Sequence, residues 1–134
     1  MGRRGRNLLW FDSGAGATAG VLMVALHGWL VELHQLPSAA LWCMAAANIG
    51  YASYSESLAL RASQLNRLPR VAVDLLVFAN VAWGLVCVGL LLGNWATVTT
   101  WGIAHLVFEG AFVAGLGLVE FRVVRPETLS PQRS

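Results

Sequence analysis

Charged side chains are scarce in this chain, and lysine is absent altogether. Of the 134 residues only 12% are charged, whereas 57% are hydrophobic. Soluble domains carry about 25% charged residues, so this chain has too few charges to cover a water-soluble globule. Its net charge of +2 is also too small to indicate a nucleic-acid partner. The composition therefore predicts a membrane protein whose main surroundings are the lipid bilayer.

Cysteine is nearly as scarce, and its placement excludes several kinds of site. Cys43 and Cys87 lie in separate apolar segments, without the spacing of a CxxC pair or a zinc site. We also find no nucleophile triad and no phosphate-binding loop. We therefore expect a protein that is not an enzyme and that holds no metal and no cofactor. A haem between His27 and His105, whose depths in the membrane are compatible, is the one cofactor alternative left open.

Long apolar segments are abundant, and they define the expected fold. Crossing the hydrocarbon core of a bilayer takes about 20 mostly apolar residues in a helix. Four segments reach that length, at about 10–33, 38–60, 71–92 and 96–121. The sequence thus predicts an all-α integral membrane bundle of four transmembrane helices in one domain, 1–125. The remainder, 126–134, contains two prolines and polar residues and is typical of a short disordered cytoplasmic tail.

The arginines are distributed unevenly between the expected loops. Three precede the first helix, three lie in the loop at 61–70, three follow the fourth helix, and the other two loops have no basic residue. Basic residues collect on the cytoplasmic side of membrane proteins. We therefore expect both termini and the middle loop in the cytoplasm, as in a multi-pass protein of a bacterial inner membrane.

Four polar residues interrupt the apolar segments near the expected centre of the membrane. At a rise of 1.5 Å per residue, Asn48, Asn80 and Glu109 all lie close to the midplane, on the second, third and fourth helices. His105 lies one turn from Glu109 on the same face of its helix. Because an isolated polar group in hydrocarbon costs several kcal/mol, we predict that these four side chains meet in one interior cluster.

Two interpretations of this cluster stay open. Ionisable residues within the membrane commonly mark proton or ligand pathways, so Glu109 and His105 could relay a proton or bind a polar ligand. Alternatively, the cluster holds helices together, since amide side chains form hydrogen bonds between helices worth about 0.6–2 kcal/mol.

Other polar residues fit structural roles at the helix ends. Asp12 and Asp74 are expected to cap helices at their cytoplasmic starts. Glu120 is expected to form an interfacial ion pair with Arg122. Close helix contacts are expected where glycines are four residues apart, at Gly16 and Gly20 and again at 89 and 93.

Several short segments carry a resemblance that covers nearly the whole chain. They are WFD at 10–12, ANIGY at 47–51, ANVAW at 79–83 and HLVFEG at 105–110. In these segments the chain resembles a group of small four-helix bacterial inner-membrane proteins, which implies a fold but no activity. In size and in its membrane glutamate it is also similar to small multidrug-resistance transporters. That family has its glutamate on the first helix, whereas Glu109 is on the fourth.

These observations lead to two expected functions. The first is a non-enzymatic accessory or interaction protein, whose partner would be a second copy of the chain or another membrane protein. The alternative is a proton-linked small-molecule transporter that uses Glu109 and His105. It would act as an oligomer, because four helices leave little interior for a pathway.

Overall fold

The structure, a computed structural model, describes residues 2–65 and 68–128. All of the regular secondary structure in these residues is helical, which confirms the all-α prediction for this part of the chain. The helices are α1 (Arg3–Ala25), α2 (His27–His34), α3 (Ser38–Leu65), α4 (Arg70–Gly93) and α5 (Thr100–Glu127).

Three of these helices are long and apolar enough to cross a membrane, namely α1, α4 and α5. The helix α3 is longer than α1 and α4, with 28 residues, but it is not among the three. Serine residues, Asn48 and Glu56 lower its mean hydropathy. The second of the four expected spans is therefore a helix of sufficient length whose side chains are more polar than those of its neighbours.

The first expected helix, 10–33, is divided in the structure. It begins at Arg3, well before residue 10, and Leu26 separates α1 from α2 with φ −104° and ψ 14°. The two helices remain nearly continuous, because the Leu26 N–H donates to the Leu22 carbonyl at 2.9 Å. The apolar segment therefore indicated the apolar part of the helix. It indicated neither the start of the helix at Arg3 nor the interruption at Leu26.

The other helix ends also differ from the expected ones. The helix α3 continues to Leu65, which shortens the expected loop at 61–70. The fourth expected helix corresponds to α5, which begins at Thr100 instead of residue 96. The Thr99 side chain caps this helix by accepting a hydrogen bond from the Gly102 N–H at 3.2 Å. The helix extends to Glu127, so the expected tail starts later than residue 126. Residues 129–134 of that tail lie outside the described residues.

The helices form two closely packed pairs. One pair is α1 with α3, and the other is α4 with α5. Two apolar groups of buried residues connect the pairs at opposite ends of the bundle, one around Leu9 and Leu76 and the other around Met44 and Leu106. The contacts between the pairs are fewer, and the buried polar side chains lie between the two apolar groups.

Glycines allow α1 to approach α3. A Cβ atom on Gly16 would lie 3.2 Å from the Asn48 carbonyl oxygen, and one on Gly20 would lie 2.5 Å from the Ile49 Cγ1. The expected pair at 89 and 93 has no atom within 4 Å of such a Cβ. The first glycine pair is therefore a helix contact, whereas the second makes no such contact among the residues that the structure describes.

We predict that Gly20→Ala lowers the free energy of unfolding by about 1–3 kcal/mol, as overpacking of a tight contact does. The new methyl group would also lie 3.1 Å from the Ile49 backbone nitrogen and 3.2 Å from the Ala45 carbonyl oxygen, so neither helix backbone can stay in place. Gly14→Ala on the same helix is the control, because nothing lies within 4 Å there. Equal stability of the two variants in detergent would contradict the prediction.

Candidate functional site

Glu109 is the centre of a polar group that joins three helices. Its Oε1 accepts hydrogen bonds from the Asn48 Nδ2 on α3 and from the Trp83 Nε1 on α4, both at 2.8 Å. The side chain is buried, with 8% of the residue exposed. One carboxyl oxygen of Glu109 is therefore fully occupied by donors from two neighbouring helices.

The other carboxyl oxygen of Glu109 faces a base. The His105 Nε2 lies 3.1 Å from the Glu109 Oε2, yet Oε2 has no aligned hydrogen-bond donor. His105 is one turn away on α5, and 24% of its side chain is exposed. An imidazole and a carboxyl group at this distance can exchange a proton. The structure thus places the two predicted residues side by side.

His34 extends this group towards the end of α2. Its ring centroid lies 4.8 Å from that of His105, and its Nδ1 is buried without a hydrogen-bond partner. The backbone of α2 is held there because the Thr99 N–H donates to the His34 carbonyl at 3.1 Å. We call His34, His105, Glu109, Asn48 and Trp83 the Glu109 cluster.

The haem alternative requires His27 and His105 to face one another. The structure places His27 elsewhere, with its Nε2 3.2 Å from the Ser38 hydroxyl oxygen and its ring stacked on Trp42. His105 has Glu109 and His34 as its neighbours. The two histidines are therefore not brought together around a common space.

Asn80 does not join Glu109 as expected. Its Nδ2 donates to the Tyr51 hydroxyl oxygen at 2.5 Å and to the Glu120 Oε2 at 2.9 Å. The Tyr51 hydroxyl in turn donates to the Asp12 Oδ2 at 2.6 Å. We call Asp12, Tyr51, Asn80 and Glu120 the Glu120 cluster. Equal depth in the membrane did not determine the direction of Asn80, and Trp83, one turn along α4, reaches Glu109 in its place.

Three acidic residues have partners other than those expected. Asp12 does not cap α1, because this helix begins at Arg3 and Asp12 is buried in its third turn. Glu120 is buried against Asn80 instead of pairing with an arginine. Asp74 lies inside α4 and accepts a hydrogen bond from the Arg125 Nε at 2.6 Å, so it links α4 and α5.

Both clusters border spaces between the helices that are partly open at the surface. A cavity of about 640 Å³ lies between α1 and α5, with Asp12, His105 and Glu109 among the residues that line it. A second cavity of about 330 Å³ lies between α3 and α4 and reaches Asn80 and Trp83. Most of the lining is apolar and aromatic. The polar features of the larger cavity are therefore its ionisable side chains and a few amide and hydroxyl groups, and those of the smaller cavity are amide and hydroxyl groups.

Three members of the two clusters were not predicted from the sequence, namely Tyr51, Trp83 and His34. Tyr51 follows Asn48 by three residues and Trp83 follows Asn80 by three, so each shares a helix face with a residue that was recognised. That spacing is the signal that was available. For His34, nothing in the sequence indicates that it is buried. Within the described residues no three His, Cys, Asp or Glu side chains are placed to hold a metal ion.

No protein-family model, no curated protein and no solved structure matches this chain. Function must therefore be inferred from the contacts of its buried polar side chains.

Proposed function

We propose that this chain is a small membrane protein that carries protons, with Glu109 and His105 as the pair that takes up and releases them. The observation that carries the proposal is the position of the Glu109 Oε2. This atom lies 3.1 Å from the His105 Nε2, has no aligned hydrogen-bond donor and belongs to a side chain that lines the 640 Å³ cavity. Of the two expected functions this is closer to the proton-linked carrier, and it is confined here to the movement of protons.

The energetics of burial favour this function over a purely structural one. An acidic residue near the centre of a membrane helix costs about 2.5–3.5 kcal/mol. A carboxyl group that only held helices together would be expected to have donors for both oxygens, because buried polar atoms are nearly always paired. The Glu109 Oε2 instead has no aligned donor, and its neighbours are the His105 imidazole and a cavity.

The second candidate function is the accessory or interaction protein. It is favoured by the Glu109 Oε1, whose two donors connect α3 and α4 to α5. In this case the cluster would only hold the bundle together, and the partner would be a second copy or another membrane protein. An oligomer is compatible with both functions, because the four-helix interior of one copy is small.

We further propose that the bundle crosses a bacterial inner membrane four times, with both termini in the cytoplasm. The 28 residues of α3 span about 42 Å at 1.5 Å per residue, which exceeds the hydrocarbon thickness of about 30 Å. Its close packing on α1 supports α3 as a membrane span in addition to α1, α4 and α5. The uneven distribution of the arginines supports the orientation.

We predict that reporter domains fused after Arg125, or inserted between 61 and 70, are active in the cytoplasm. Reporters inserted at 35–37 should instead be active on the outer side, because no arginine flanks that connection. Paired alkaline phosphatase and fluorescent-protein fusions measure both sides. A C-terminal reporter that is active only outside would contradict the proposed orientation.

The proton-carrying function is tested with the purified protein in liposomes. A pH-sensitive dye is enclosed, a pH difference is imposed, and valinomycin with potassium prevents a membrane potential from limiting the flux. The proposal expects faster loss of the pH difference than in protein-free liposomes. Equal rates would favour the accessory protein.

A further inference from the structure

The Glu120 cluster contains two carboxyl groups that the proposed proton pair does not use. Asp12 and Glu120 are almost fully buried, with 1% and 0% of each residue exposed. Each has one oxygen with a donor, since Tyr51 donates to the Asp12 Oδ2 and Asn80 donates to the Glu120 Oε2. The other oxygen of each, Asp12 Oδ1 and Glu120 Oε1, has no hydrogen-bond partner.

The two carboxyl groups are neighbours without a compensating positive charge. A chain of hydrogen bonds connects them, because the Asn80 Nδ2 donates to the Glu120 Oε2 at 2.9 Å and to the Tyr51 hydroxyl oxygen, which in turn donates to the Asp12 Oδ2 at 2.6 Å. None of the salt bridges among the described residues involves either carboxyl group. The groups that surround them are the Tyr51 hydroxyl, the Asn80 amide and Ser55, whose hydroxyl donates to the Leu9 carbonyl at 3.1 Å. Two adjacent carboxylates in such surroundings repel each other strongly, and one of them is expected to remain neutral.

We propose that Asp12 and Glu120 share one proton and form a second proton-binding site of this protein. With the proton on one carboxyl group, that group has an O–H that can donate to a neighbouring oxygen. The pair then carries one negative charge. Release of the proton leaves two negative charges, and uptake of a second proton leaves none. No other reactant is needed.

This second site also extends the proposed proton path along the bundle. Glu120 follows Glu109 by 11 residues on α5, a distance of about 16 Å along the helix. Asp12, Tyr51, Asn48 and Glu109 all line the 640 Å³ cavity, which connects the two clusters. This placement on the path rests on the proposed function, whereas proton binding by the pair does not.

The shared proton is tested by infrared spectroscopy of the purified protein near neutral pH. A protonated carboxyl group gives a C=O stretching band that ionised carboxylates lack. We expect this band in the wild-type protein, its loss when the pH is raised, and a weaker band in the double variant Asp12→Asn with Glu120→Gln. Glu109→Gln is the control and should retain the part of the band that the double variant loses. A wild-type protein without the band, or a double variant with the band at its wild-type intensity, would overturn the shared proton.

The double variant keeps the two bonds that hold the pair, because an amide oxygen at each position can still accept from Tyr51 or from Asn80. If the circular dichroism of the double variant differs from that of the wild type, two other measurements test the shared proton. They are the loss of the C=O band when the pH of the wild-type protein is raised, and the weakening of that band in Glu120→Gln alone. Flux in liposomes then tests the path. A double variant with wild-type flux would remove the pair from the path, whereas a wild-type protein without flux would refute the proposed function and leave the infrared result valid.

Discussion

Replacing Glu109 by Gln is expected to lower proton flux through liposomes by about 100-fold, within the range contributed by a side chain that transfers protons. The Gln carbonyl oxygen can still accept from Asn48 and Trp83, whose donors lie 2.8 Å from the Glu109 Oε1. The amide cannot release a proton to His105. The variant therefore removes the proposed chemistry while it retains the bonds between α3, α4 and α5.

The matched control for this variant is Glu32→Gln on α2. Glu32 is exposed, and its side chain has no part in either cluster, so the flux should match that of the wild type. Both variants should elute as the wild type does in size-exclusion chromatography. A folded Glu109→Gln protein with wild-type flux would mean that the cluster only holds the helices together.

Replacing Asn80 by Ala is expected to lower the free energy of unfolding by about 2 kcal/mol, the typical cost of leaving buried polar groups unpaired. The amide nitrogen of Asn80 donates hydrogen bonds to the Tyr51 hydroxyl oxygen at 2.5 Å and to the Glu120 Oε2 at 2.9 Å. Its removal leaves the buried carboxyl group of Glu120 without its donor. Titration with a denaturing detergent, followed by circular dichroism, measures the loss.

Asn94→Ala on the same helix provides the comparison for Asn80. The Asn94 Nδ2 also makes a hydrogen bond, to the Leu90 carbonyl at 2.8 Å, but it lies at the half-buried end of α4. Its replacement should cost less than about 0.5 kcal/mol, as most changes near the surface do. Similar losses for the two variants would mean that burial of the Glu120 cluster adds nothing to stability.

The positions of the helices could be predicted from the sequence, but their ends could not. Apolar length determines where hydrocarbon can surround a helix, and this places α4 and α5 correctly. Hydropathy does not indicate how far a helix continues outside the hydrocarbon region, because the residues there need not be apolar. Arginine favours helical structure, so α1 continues outward to Arg3, and α3 extends past the predicted end at residue 60 in the same way.

The partners within the candidate site could be predicted only in part. Depth along the membrane and the spacing of four residues brought Glu109 and His105 together, and the need to pair Glu109 pointed to Asn48. The direction in which a helix presents each side chain depends on its rotation about its own axis. Packing of α4 on α5 determines that rotation, and it turns Trp83 towards Glu109 and Asn80 towards Glu120.

The roles of Asp12 and Glu120 were misjudged for a different reason. Asp12 lies at the start of the expected first helix, which favoured capping, and Glu120 lies near Arg122, which favoured an interfacial ion pair. Their burial depends on contacts with Tyr51 and Asn80, which are distant along the chain. No local pattern contains that information, because long-range packing decides which face of a helix is covered.

The most direct test of the central claim uses Trp83, whose Nε1 donates to the Glu109 Oε1 at 2.8 Å. The other five tryptophans are 41–67% exposed, so replacing them by Phe should leave a folded protein with Trp83 as its one tryptophan. Its fluorescence is then measured as the pH is varied. We expect a reversible change as Glu109 exchanges its proton with water, and no such change in Glu109→Gln. Fluorescence that is independent of pH in both proteins would contradict proton exchange at Glu109.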